Sequence, residues 1–251
     1  MEKIKADFTG QSITSLASCY GVTGTVLVQV DQTEAETLWL LDQAQKYEII
    51  KAVVGWLDLR ADNVGERLSY FNRFEKLKGF RHIAQAEPDD FLTGKAFQRG
   101  IGSLLDFGYT YDILVYHYQL PAVIELVDTA PNQKFVIDHL GKPNIKQGLI
   151  DQWANNMEHL SKRPNVFCKL SGMVTEADHK NWEYQHLVPY MDVVLELFGP
   201  KRLMFGSDWP VCLLAGGYDQ VLGIIKKYIS KLSEVEQSYI LSENASNFYE
   251  L

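Results

Sequence analysis

The sequence predicts an α/β fold, a (β/α)8 barrel of TIM type that lacks its first strand, and three observations predict it. Short runs of β-branched and aromatic residues recur along the chain, each closed by a polar residue and followed by a segment of helix length. These runs are nearly continuous in apolar residues, as parallel strands covered on both faces are. Their starts lie roughly 25 to 40 residues apart, as βαβ units of about 30 residues would. A chain of 251 residues also matches the usual size of one such barrel better than that of a doubly wound sheet.

In chain order, residues 7–9 give at most a short extended stretch, and residues 11–20 read as a helix ended by Gly21, a good C′ glycine. Seven strand runs follow, over residues 23–30, 50–59, 80–85, 110–117, 134–139, 165–171 and 202–208. Between them, residues 33–47 set Leu38, Leu41, Ala44 and Tyr47 at helical spacing, and residues 122–129 and 188–198 carry similar apolar stripes. Seven strands are one short of closure, and the chain starts in a helix, so the first barrel strand is the one expected to be missing. A barrel opened in this way has two unpaired parallel edges, which natural proteins avoid. No linker, repeat or composition break divides the chain, so residues 1–251 are read as one domain.

Composition excludes several classes. With 46% hydrophobic and 22% charged residues the chain is neither disordered nor coiled coil. No apolar run approaches the ~20 residues of a membrane helix, and the first residues are not a signal peptide, so no membrane partner and a cytoplasmic location are expected. Lys and Arg number 24 against 32 Asp and Glu, a net charge of -8, which lacks the basic excess of nucleic-acid binders. Cys19, Cys168 and Cys212 form no CxxC pair and read as reduced thiols. There is no P-loop, Gly-x-Ser-x-Gly elbow or His-Glu-x-x-His run, and Gly100-Ile-Gly102 neither follows a strand nor has a third glycine.

Barrel enzymes keep their chemistry at the C-terminal ends of the strands. Those ends carry Gln29, Asp58, Arg81 with His82, His117, Asp138 with His139, Ser171, and Ser207 with Asp208. Asp208 lies in Phe205-Gly-Ser-Asp-Trp-Pro210, where an apolar strand stops at a carboxylate followed by Trp209 and a proline. Such an Asp suits a general base, and it equally suits an Asx turn or helix cap. His139, ahead of Gly141 and Pro143, can ligate a metal, act as an acid, or sit as a hydrogen-bonded core histidine. Glu176, Asp178, His179 and Trp182 fall in a loop of the kind that contacts substrate. His159, on a helix, reads as solvated.

The segments Val136-Ile-Asp-His-Leu-Gly-Lys-Pro143, Lys169-Leu-Ser-Gly-Met-Val-Thr-Glu-Ala-Asp178 and Arg202-Leu-Met-Phe-Gly-Ser-Asp-Trp-Pro-Val211 resemble the lactonase branch of the amidohydrolase superfamily, the amidohydrolase 2 group. The likeness continues through Val26-Leu-Val-Gln29, Val53-Val-Gly-Trp-Leu-Asp58, Phe80-Arg-His82 and Gln119-Leu-Pro121, and so runs over nearly the whole chain. Within the branch it is closest in kind to L-fuconolactone and L-rhamnonolactone hydrolases. The resemblance implies a distorted barrel that opens sugar-acid lactones by water attack on the ester carbonyl. Carried over by position, Asp208 matches the terminal aspartate and base, His139 the sixth-strand histidine, His117 the fifth-strand position and Arg81 the fourth-strand arginine near substrate. Arg81 and His139 are then expected to stabilise the oxyanion, and Gln29, Arg81, His82, Trp182 and Trp209 to bind substrate. His117, His139 and Asp208 are the implied metal ligands for one divalent ion, zinc or manganese. Members normally begin with a strand ending in His-x-His, and this sequence has no such pair, so relative to the family it is short at the N-terminus by about forty residues and weak metal binding is expected. The implied partner is a small sugar-acid lactone, with a homo-oligomer left open. The alternatives are a metal-dependent decarboxylase or C–N hydrolase on the same rim, and an inactive barrel that binds without turnover.

Overall fold

The computed structural model describes residues 4–251. Its centre is one sheet of seven parallel strands in strictly sequential order. These are β1 (Thr25–Val28), β2 (Ile50–Gly55), β3 (Leu77–His82), β4 (Thr110–Ile113), β5 (Phe135–Ile137), β6 (Val166–Leu170) and β7 (Leu203–Phe205). The sheet curls into an open barrel, and among the described residues β1 and β7 pair on one side only. The eighth strand of a closed barrel is therefore absent from it, as the sequence predicts.

The helices are α1 (Gly10–Tyr20), α2 (Glu34–Lys46), α3 (Val64–Phe71), α4 (Lys95–Leu105), α5 (Leu120–Thr129), α6 (Asp151–Ser161), the single-turn α7 (Met173–Glu176), α8 (Tyr184–Phe198), α9 (Tyr218–Ile229), α10 (Glu234–Ser238) and α11 (Asn244–Tyr249). Local chemistry sets their ends. Gly21, at φ 70°, closes α1, and the Thr33 hydroxyl accepts from Glu36 N at 3.1 Å to start α2. Pro121 opens the first turn of α5, where no backbone donor is needed.

The run expected at 80–85 is the one strand whose start is misplaced: β3 begins at Leu77. A Cβ at Gly79 would fall 2.2 Å from the Thr110 hydroxyl, so glycine is what lets β3 and β4 approach.

Two cores result. The larger lies between sheet and helices, around residues such as Phe80, Phe97, Ile113, Trp153 and Val194. The smaller fills the floor of the barrel with Val54, Val136 and Met204, closed by Phe248 and Tyr249 of α11. Above that floor the inward positions are charged. Lys169 reaches Asp112 at 2.5 Å and Asp138 at 2.7 Å, Arg81 reaches Asp138 at 2.7 Å, and the Tyr249 hydroxyl donates to Asp112 at 2.8 Å. Two cations face two carboxylates, which is the balance buried charge requires. Burial alone would depress the Lys169 ammonium, but Asp112 and Asp138 hold it well above its ordinary value. Burial likewise works to raise Asp138, and Lys169 and Arg81 outweigh it and keep the carboxyl below the usual range.

Candidate active site

Directly above this layer the ends of β5, β6 and β7 bring four side chains together. After β5 the backbone turns through left-handed positions at His139, Leu140, Gly141 and Lys142, with φ of 52°, 54°, 67° and 48°. That turn is fixed from behind by Trp153, whose indole N–H donates to Leu140 O at 2.7 Å. The His139 imidazole points inward, with Nδ1 2.8 Å from the Ser171 hydroxyl and Nε2 3.7 Å from Asp208 Oδ1. Asp208, in the left-handed region at φ 54°, also faces the Thr175 hydroxyl, which lies 3.4 Å from Oδ2. Both side chains keep a small opening to solvent, 13% for His139 and 10% for Asp208.

Burial lowers the His139 pKa against the opposing pull of Asp208 and Asp138, so the ring is neutral at neutral pH. The gap of 3.7 Å is too long for a direct hydrogen bond and short enough for one water to touch both atoms. A carboxylate and a neutral imidazole around a water are a general-base arrangement. Thr175 also lines a depression of about 480 Å³ together with Glu176, His179 and Lys146 among others.

Other expected site residues fall elsewhere. Arg81 is 8% exposed and engaged, with Nη1 on Asp138 and Nη2 on the Gln29 carbonyl, so it belongs to the charged layer. Gln29 is fully buried, and its Nε2 donates to Arg81 O at 3.2 Å. His82 points the opposite way from Arg81, as alternate strand residues must. It stacks on Phe91 at 4.5 Å, accepts from Trp56 Nε1 at 3.1 Å and pairs with Glu87 at 2.8 Å, which leaves no ring nitrogen for a ligand. Trp182 donates to Ala215 O at 2.8 Å and braces its loop, and Trp209 meets Phe8 edge-on at 5.1 Å.

The expected metal triple is not assembled. His117 begins the short turn after β4, in edge contact with Tyr118, and no group of three or more His, Cys, Asp or Glu side chains placed to hold a metal occurs among the described residues. His139 and Asp208 alone converge, whereas a firmly held zinc takes three or four protein ligands, so the residues present do not fit that ion. Sequence reasoning passed over Asp112 and Tyr249 entirely. Asp112 sits between Tyr111 and Ile113 in an apolar run, and only the inward phase of β4 gives it away.

The family model described as amidohydrolase matches residues 1–251. The chain belongs to that family. It is 37% identical over 263 residues to an L-fucono-1,5-lactonase of Burkholderia multivorans, covering 100% of this chain and 88% of that protein. An L-fucono-1,5-lactonase of Burkholderia ambifaria is 36% identical over 219 residues, 87% of this chain and 75% of that one. Among solved structures, an amidohydrolase from Burkholderia multivorans with bound zinc superposes with a TM-score of 0.96 at 37% identity, covering 100% of this chain and 91% of that chain.

Proposed function

We propose that this amidohydrolase is a lactonase that opens a small sugar-acid lactone, an aldonolactone such as L-fuconolactone. The observation that carries the reading is the approach of His139 Nε2 to within 3.7 Å of Asp208 Oδ1, close enough for one water beside them to touch both, in a chain similar along its full length to an L-fucono-1,5-lactonase. Asp208 takes a proton from the attacking water, while His139, its Nδ1 held by Ser171, orients that water from the other side. Water oxygen bonds to the carbonyl carbon, the ring C–O bond breaks, and the proton on Asp208 passes to the departing ring oxygen. The product is the open hydroxy acid.

His139 and Asp208 alone do not fit a firmly held divalent ion, and no step here is routed through one. A cytoplasmic setting suits the three free cysteines, and no helix among the described residues is long and apolar enough to cross a membrane. The test is a panel of aldonolactones, with and without added zinc or manganese, followed by acid release. Ring opening of one or more supports the reading, and inertness to the whole panel under both conditions overturns it.

A further inference from the structure

With Arg81 engaged in the charged layer, the carbonyl oxygen of a lactone needs another positive partner. Among the described residues, Lys142 is a cation on the same turn as His139. Lys142 lies three residues past His139, and its backbone N–H donates to His139 O at 2.8 Å, so the two residues move as one turn. Its ammonium stands 3.4 Å from Glu176 and 5.3 Å from the centre of the Tyr116 ring, with 15% of its side chain exposed. Glu176 follows Thr175, the residue whose hydroxyl faces Asp208. The contacts therefore close a ring from His139 to Asp208, to Thr175 and Glu176, to Lys142 and back along the turn.

The Glu176 pairing is looser than the 2.5–2.7 Å pairs in the layer below, and an ammonium has three donors, so Lys142 has hydrogen-bonding capacity to spare. Its nearness is also felt in the electrostatics, since it adds to the forces that keep His139 uncharged.

We propose that Lys142 is a catalytic residue that receives the negative charge developing on the lactone carbonyl oxygen, and that Glu176 and Tyr116 hold its ammonium over the mouth until substrate enters. This rests on the lactonase reading. When water adds to the carbonyl carbon, the C=O pair moves onto oxygen, and Lys142 neutralises that oxyanion through an N–H···O contact without giving up its proton. When the carbonyl reforms, the pair returns and the ring oxygen leaves with the proton from Asp208. A fixed donor of this kind contributes most where charge appears only in the transition state.

Lys142→Met removes the charge and keeps most of the stem, and Lys142→Arg keeps the charge. With L-fuconolactone as substrate, Lys142→Met is expected to lose about 10²–10³-fold in kcat with KM changed little, and Lys142→Arg to recover a large part of the loss. A Lys142→Met enzyme within about threefold of wild-type kcat overturns the proposal and leaves the lactonase reading standing. If the wild type opens no lactone, that reading fails, and calorimetry with L-fuconate decides on Lys142 alone. Binding weakened about tenfold or more by Lys142→Met supports an anion subsite there. Equal binding, or none to the wild type, overturns it.

Discussion

His139 and Asp208 are non-glycine residues held at positive φ, a conformation that costs of order 1–3 kcal/mol and persists only where neighbours over-determine it. For His139 those neighbours are visible. Ser171 holds Nδ1, Trp153 holds the next carbonyl, and Gly172 presses so closely that a Cβ there would lie 2.6 Å from His139 Cβ. Gly172→Ala also meets a φ of 67°, so the ring is expected to shift and lactone turnover to fall by about 10²-fold, while the melting temperature drops only a few degrees. Unchanged turnover in a folded Gly172→Ala protein would detach His139 from the reaction. A second outcome concerns pH. Burial holds both His82 and His139 below the ordinary histidine value of 6.5, so the unfolded chain binds protons that the folded one refuses. Their contribution is fully present above about pH 6.5 and is lost as pH falls through the lower folded values. Urea midpoints are expected to fall between about pH 7.5 and about pH 5.5, and to fall less in His82→Gln.

At the scale of elements, the seven strand runs each overlap a strand, because parallel strands buried on both faces leave a strong apolar signal. What the sequence leaves hidden is the phase and height of a side chain on its strand. Arg81 and His82 are neighbours in sequence and point to opposite faces, and His117 stands four residues past the end of β4. Asp208 and His139 were legible because each stops an apolar run beside glycine and proline. The contribution of α11 was not legible, since nothing in the residue pattern singles out Phe248 and Tyr249, which seal the barrel floor. Asp112 Oδ1 has no hydrogen-bond partner, so Tyr249→Phe would strip a contact from an already under-satisfied carboxylate. The expected cost is about 1–3 kcal/mol of stability, read in a denaturant titration, with the site geometry otherwise kept. A neutral result would mean that water replaces the phenol at that carboxylate.

In the whole molecule, the barrel interior is stacked by polarity: an apolar floor, a neutralised charge layer, and a mouth where His139 and Asp208 stay partly open. The charge layer ties β3, β4, β5 and β6 to α11, and Arg81 extends it to the Gln29 carbonyl just past β1, so the open sheet is cross-braced where a closed barrel would rely on its eighth strand. That bracing places ends of chain 69 residues apart, His139 and Asp208, over one gap. Whether this gap is where water is activated is tested most directly by Asp208→Asn, which keeps the shape and removes the proton acceptor. Lactone hydrolysis and thermal melting are measured side by side on the same preparation. Loss of a general base predicts turnover lower by about 10²–10⁴-fold with little change in KM and a near-normal melt. A variant that melts several degrees lower and still turns over near the wild-type rate per folded molecule would contradict it, leaving Asp208 a residue of the turn.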